Sequence, residues 1–397
     1  MATITSDVLC TTLKCMAKTS LLMREKKSYV TSKVDFIVVN DTVKPRTGGD
    51  YVYSVMKKEL IRQGYDVNEV SIPMMVSFLG RNYGSEWIGH TSLSSPEMLA
   101  YVLCYLLSLK KFKQRLHVVI TSSCPTFPVL GHLTYHQPKA GIFARSINES
   151  DSMRRVVGYR IEENERLSPL WFFAKKLMRL HLSNSRFTQE IVGKMYGVDS
   201  AVLYPPVPIH KYDHPFNGDR RKRYVLLTRP ESTTGISLLS TIGRRLPKDV
   251  KLIIIGNIDR AGMAALRTLK AEGANFEYLG FVSEETKIEI FHKCSIYVNL
   301  AINETFGMSV VEALASGCIP LAHNSGAVPE YLPQEFCFSA FEEIPDKISS
   351  YIDSPRDIRE RLKRIALRFD EEVFRKNFML FFHCLEDSLE PRGPKDV

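Results

Sequence analysis

The sequence predicts two doubly wound α/β domains, each built on a parallel sheet and facing the other across a cleft. Three observations carry this. Short β-branched runs alternate with segments of helical period along both halves of the chain. Glycine-bearing loops follow directly on several of the strands. A turn rich in proline (Pro205, Pro206, Pro208), followed by a polar and basic stretch, divides the halves. A chain of 397 residues exceeds one ordinary core, which fits two domains.

In order along the chain, residues 1–32 are rich in Ser, Thr and Lys and poor in acids, without the apolar centre of a signal peptide. They are read as an arm, either disordered or surface-binding. The first domain spans 33–208, with strands at 34–40, 65–72, 116–121, 133–136, 179–183 and 201–204. Its first helix, 51–63, follows a loop carrying Gly48 and Gly49 and stops at Gly64. Strand, glycine loop, helix and strand form a unit suited to phosphate. Residues 209–222 are the expected linker. The second domain, 223–370, has strands at 224–228, 251–255, 275–279, 296–300 and 319–322 and helices at 236–245, 283–293 and 308–316. The helix at 308–316 ends at Gly317, which suits a C-cap. A last helix, 371–389, carries Phe374, Phe378, Phe381 and Phe382 and leads into the tail that ends at residue 397.

Composition narrows the classes. Hydrophobic residues at 44% and charged residues at 24% describe a globular chain and exclude a disordered one. The net charge of +9 suits an anionic partner: a nucleotide diphosphate, an acidic membrane surface or nucleic acid. Nucleic acid is not expected, because the basic residues are spread and only 220–223 form a compact cluster. Eight cysteines without a Cys-x-x-Cys pair suggest neither a zinc site nor a disulfide framework. They read as buried thiols in a reducing, cytoplasmic setting. The longest apolar stretch, 98–109, falls short of the roughly 20 residues a spanning helix needs. Residues 171–179 mix aromatic and basic side chains; the first reading is an amphipathic helix with a core-facing stripe, the second a peripheral contact with a membrane.

The most informative segment is 294–331. A short strand leads into a loop holding Glu304, Phe306 and Gly307, then into the helix that begins at Met308 and carries Glu312. Both carboxylates lie near the positive end of that helix, at the carboxyl mouth of a parallel sheet, where α/β proteins bind phosphorylated ligands. Carboxylates there can accept hydrogen bonds from sugar hydroxyls. The competing reading is a pair of solvated surface charges.

Two glutamates separated by seven residues, the first followed closely by Phe and Gly, resemble the donor-binding signature of retaining GT-B glycosyltransferases of family 4. The resemblance covers roughly 34–385. It implies a nucleotide sugar, GDP- or UDP-linked, as substrate with no other cofactor, and a glycan or lipid-linked acceptor as partner. It implies that Glu304 contacts the transferred sugar beside the amides of Phe306, Gly307 and Met308, and that Glu312 grips the ribose. Arg229, at the end of a second-domain strand, would fork onto the diphosphate. Five residues later the family has lysine, whereas this chain has Thr234, which can donate one hydrogen bond but supplies no charge. Gly48 and Gly49 match the family's glycine loop, and His136 matches a histidine near the reacting sugar. Ser183, Asn184 and Ser185 resemble an SNS turn that a simple N-cap explains equally well. The terminal helix would cross back to the first domain, or else serve the second-domain core. No Asp-x-Asp follows a predicted strand, so no essential metal is expected. The expected activity is a hexosyl transfer. Epimerisation, which would need further acids in the cleft, and binding without catalysis, which Thr234 motivates, are the alternatives.

Overall fold

The structure is a computed structural model and describes residues 33–39, 48–71, 116–121, 132–137, 180–196, 198–213, 222–228, 245–258 and 260–389. The arm 1–32, the stretches 98–109 and 171–179, most of the 236–245 helix, Arg229 and Thr234 lie outside the described residues.

The first half contains β1 (Lys33–Val39), α1 (Gly48–Arg62), β2 (Asp66–Ser71), β3 (Leu116–Thr121), β4 (Leu133–His136), β5 (Leu180–Ser183), α2 (Arg186–Tyr196) and β6 (Ala201–Val202). The second contains α3 (Ile209–Tyr212), β7 (Lys222–Thr228), β8 (Lys251–Ile255), α4 (Arg260–Ala271), β9 (Phe276–Gly280), α5 (Glu284–Lys293), β10 (Cys294–Asn299), α6 (Met308–Ser316), β11 (Ile319–His323), β12 (Cys337–Phe338), α7 (Ile344–Tyr351) and α8 (Arg356–Ala366), followed by the terminal helix α9 (Glu371–Leu389).

Each half is a parallel sheet. The first runs in the order β2-β1-β3-β4-β5-β6 and the second β12-β11-β10-β7-β8-β9. In the second sheet, successive strands step outward from β7 in one direction and from β10 in the other. The order therefore reverses between β7 and β10, the kind of break at whose carboxyl ends a doubly wound sheet has its crevice. The first sheet has the equivalent break between β1 and β3. Burial explains why the strands read as continuous apolar runs: β10 is buried at every position, as parallel sheets covered on both faces require.

Two cores result. Leu203 packs with the first sheet, whereas Val207, Ile209 and Tyr212 belong to the core of the second. The chain thus changes core within the proline turn, ahead of the stretch 209–222 expected as linker, and the short helix α3 is already part of the second core. The reason is apolar content: Ile209 and Tyr212 are almost fully buried, which a solvated linker would not allow.

Helix α9 packs on the first core. Phe374, Phe378 and Phe382 are buried with Val34, Val52 and Met56. Phe382 meets Tyr65 edge-on at 5.2 Å. Polar contacts flank this seam: Tyr65 donates to Glu386 at 2.6 Å, Tyr51 donates to Glu371, and Arg375 bridges Glu59 and Glu371. Within the second core, Arg359 of α8 is buried, with Nη1 donating to the Ser295 and Gly317 carbonyls at 2.8 and 3.2 Å. Its guanidinium so satisfies orphan acceptors at the C-cap of α6 and at the start of β10. Cys294, Cys318 and Cys337 are buried thiols. Among the described residues, no helix is long and apolar enough to cross a membrane.

Removing the ring that centres the α9 seam should unfold the first half selectively. Phe378→Ala is expected to destabilise the first-domain transition by about 3–5 kcal/mol, read as a shift in denaturant midpoint with the second-domain transition unmoved.

Candidate functional site

The site forms at the crevice between β7 and β10. Tyr297 in β10 ties its walls together: its hydroxyl donates to Ser309 Oγ on the first turn of α6 at 2.8 Å and lies 3.0 Å from Thr228 Oγ1 at the end of β7. The N-terminus of α6 is thereby fixed against both strands that border the break in strand order. Gly307 is its N-cap and offers no side chain, so the first-turn amides of Met308 and Ser309 remain for a ligand at the positive helix end.

The loop 300–307, which holds Glu304, passes twice through the left-handed region, at residues whose types tolerate it. Asn303 has φ 53° and Gly307 φ 86°. Neighbours impose this conformation. Ser325 Oγ accepts from the Asn303 amide at 2.8 Å and is itself bonded to His323 Nδ1 at 2.8 Å. The Ala327 amide donates to the Glu304 carbonyl at 2.8 Å, and Tyr331 donates to the Phe306 carbonyl at 2.6 Å. The Phe306 ring is buried among Tyr204, Tyr331 and Phe369. Gly326 makes this possible: with φ 67°, a Cβ there would lie 2.3 Å from the Glu304 carbonyl oxygen and 2.7 Å from its nitrogen.

Glu312, one turn into α6, is nearly buried and faces α3 and α5. Its Oε1 accepts from Lys287 Nζ at 3.1 Å, and Lys287 also bridges Glu284 at 2.9 Å. Tyr212 of α3 donates to Glu284 at 2.8 Å. Burial alone would lower the Lys287 ammonium; Glu312 and Glu284 outweigh it and hold the ammonium above its usual range. Burial, then Glu312 and Glu284, push the Tyr212 phenol far upward. The group is therefore a locked network of one cation, two carboxylates and a neutral phenol. The sequence placed Glu312 at the site, but Lys287, Glu284 and Tyr212 carry no local signal, since they meet it only through tertiary packing of α3, α5 and α6.

In the first half, Gly48 and Gly49 open α1 at the break between β1 and β3. His136 ends β4 at the same carboxyl edge. It is only 7% exposed, and its Nε2 lies 3.0 Å from Nδ1 of His181. Burial first, then the neighbouring ring, brings His136 down to about 3; burial brings His181 down to about 4. Both imidazoles are neutral, and one donates to the other. Ser185 caps α2 by accepting the Thr188 amide at 3.0 Å.

The halves meet beside the site. Glu330, in the 3-10 turn Val328–Glu330 of the second domain, accepts from the Phe187 and Arg186 amides at 2.8 and 3.1 Å and from the Tyr204 hydroxyl at 2.7 Å. A second-domain carboxylate thus occupies the N-terminus of first-domain helix α2. Of the residues singled out in the sequence, the structure brings together Glu304, Phe306, Gly307, Met308 and Glu312; Gly48, Gly49 and His136 lie on the carboxyl edge of the other sheet.

Comparisons with known proteins agree with this geometry. Residues 214–368 match the family model described as glycosyl transferases group 1. The chain is 23% identical over 272 residues, 60% of its own length and 53% of the relative's, to the Dictyostelium discoideum GDP-Man:Man(3)GlcNAc(2)-PP-Dol alpha-1,2-mannosyltransferase. It is 27% identical over 244 residues, 50% of its length and 44% of the relative's, to the Neurospora crassa protein of the same name. The chain spans about half the length of the curated relatives it matches. Among solved structures, a glycosyltransferase from Rickettsia africae superposes with a TM-score of 0.61 at 15% identity, covering 92% of this chain and all of that one. Anabaena HepE in complex with UDP and glucose gives 0.58 at 14% identity, covering 88% of this chain and all of that one.

Two outcomes follow. Gly326→Ala should lower stability well beyond Gly273→Ala, whose φ of 77° is similar but whose Cβ would meet nothing within 4 Å. The second should cost about 1–2 kcal/mol of backbone strain alone, with thermal midpoints as the readout. The histidine pair should make stability depend on pH. The folded values lie below the usual value near 6.5, so the unfolded chain binds protons that the fold refuses. Stability is full above about pH 6.5 and is lost as pH falls towards 4 and 3, by about 2 kcal/mol per histidine at pH 5. Denaturant midpoints at pH 7 and 5 should show that loss in the unmodified chain and a smaller one in His181→Asn.

The fold is that of the GT-B glycosyltransferases, and residues 214–368 carry the match to glycosyl transferases group 1.

Proposed function

We propose that the chain is a glycosyltransferase that moves a mannosyl unit, with retention of configuration, from GDP-mannose to a glycan or lipid-linked acceptor. The carrying observation is the placement of Glu304 and Glu312 about the N-terminus of α6 at the break in the second sheet. The donor and acceptor class are supported by the names of the relatives, which specify GDP-Man and a PP-Dol glycan.

In this reading the diphosphate lies against the α6 N-terminus, where backbone amides and the helix dipole offset its charge. Arg229, the residue that follows β7 in the sequence, is expected to add a cation. Glu312, oriented by Lys287, accepts from the ribose diol, and Glu304 accepts from hydroxyls of the transferred sugar. The bond from the anomeric carbon to the β-phosphate oxygen breaks with its electron pair remaining on phosphate. The acceptor hydroxyl bonds the same carbon from the leaving-group face, and its proton passes to the departing diphosphate. The neutral His136, at the carboxyl edge of the first sheet, serves as a hydrogen-bonding group towards the sugar and not as a charge. The work of the site is then positional and electrostatic. We place the acceptor in the first domain, the donor in the second, and the protein in the cytoplasm, with the membrane face as its meeting point with a lipid-linked acceptor.

Release of GDP from GDP-mannose, measured with and without a lipid-linked oligosaccharide, tests the reading. Release should require the acceptor, and Glu312→Gln should raise the donor KM by about tenfold, the loss of one hydrogen bond to a charged group. Tight GDP-mannose binding with no release would instead support a silent sugar-nucleotide-binding protein, the reading that Thr234 favours.

A further inference from the structure

We propose that Asn299 is a donor-binding residue whose side-chain amide donates a hydrogen bond to a diphosphate oxygen of the nucleotide sugar at the N-terminus of α6. The inference rests on the reading of the crevice as a nucleotide-sugar site and adds a residue to it.

Asn299 is the last residue of β10, at the carboxyl edge of the sheet beside the break in strand order. Strand alternation puts it on the face of Tyr297, whose hydroxyl reaches Ser309 in the first turn of α6. Asn299 stands one pleat further towards the carboxyl edge of the sheet. Its carbonyl oxygen accepts from the Ala301 amide at 3.0 Å. That bond decides which end of the side chain is oxygen, because an NH2 group could not accept there. The amide nitrogen is therefore committed as a donor. Among the described residues it is buried with no acceptor, in a residue only 7% exposed.

A buried donor without a partner is uncommon in folded proteins and destabilises the fold that keeps it. It belongs to the strand whose Tyr297 reaches the first turn of α6, a helix N-terminus with no side-chain cap and so a backbone site that attracts anions. A ligand oxygen carrying negative charge would satisfy the amide and the first-turn N–H groups together. The amide supplies direction without charge, in a chain that has Thr234 where a cation would otherwise stand.

The test measures binding of GDP, GMP and guanosine to the full chain and to two variants, together with the thermal midpoint of each free protein. Asn299→Ser keeps an oxygen for the Ala301 amide and removes the donor. Asn299→Asp keeps the shape and replaces the donor with an acceptor, which guards against a folding defect peculiar to serine. Each should weaken GDP by tenfold or more and leave guanosine unchanged. The serine variant should retain the free-state midpoint, since an unsatisfied donor has gone. Unchanged GDP affinity in both variants, with affinity still lost in Glu312→Gln, would overturn this assignment alone. Failure of the unmodified chain to bind GDP would overturn the nucleotide-sugar reading and this assignment with it. A lowered midpoint with unchanged GDP affinity would make Asn299 structural.

Discussion

The contact between the backbones of Gly326 and Glu304 is the constraint on which the site depends. The Ala327 amide can reach the Glu304 carbonyl because residue 326 has no side chain, and the loop 300–307 can hold a left-handed Asn303 because that contact and Ser325 fix it from outside. The fixed loop then delivers Gly307 as a bare N-cap and sets Glu304 ahead of the first turn of α6. A loop fixed from outside by its surroundings is preorganised, because a ligand need not order it on arrival. The rigid base is the second sheet, where Tyr297 links β7, β10 and α6 through hydroxyls.

The turn that clamps Glu304 also reaches the other domain. Four residues after Gly326, Glu330 sits on the α2 N-terminus and accepts from Tyr204 in the proline turn. On the other side of the crevice Tyr212, just past the same turn, enters the network that holds Glu312. The turn 326–330 thus holds the Glu304 carbonyl at one end and the first domain at the other, and Tyr212 reaches the Glu312 network through Glu284. In the proposed reading, domain approach and donor grip share these contacts, a physical route by which closure would depend on a bound nucleotide.

Much of this was legible in the sequence where local chemistry dictates it. The strands at 116–121, 133–136 and 251–255, and the helix 308–316 with its glycine stop, follow from apolar period and the positive φ that Gly317 supplies. Glu304, Phe306, Gly307, Met308 and Glu312 are neighbours in sequence and so come together almost by local folding. The remainder depends on contacts between distant segments. The pairing of Lys287 with Glu312 joins two helices, and Arg359 reaches Gly317 across 42 positions. Ile209 and Tyr212 stand among polar residues, and only their burial assigns them to the second core. The aromatic stripe of α9 marks it as buried but does not say in which core; Tyr65, Tyr51 and Glu59 on the first domain decide that. His136 could be read as a lone histidine until His181, 45 residues away, appeared as its partner.

The most direct test of the account is a crystal structure of the chain with GDP bound. The account predicts the diphosphate against the first-turn amides of α6 and the ribose hydroxyls on Glu312, with Lys287 still paired to that carboxylate. A nucleotide bound elsewhere, with the crevice between β7 and β10 left to solvent, would contradict it.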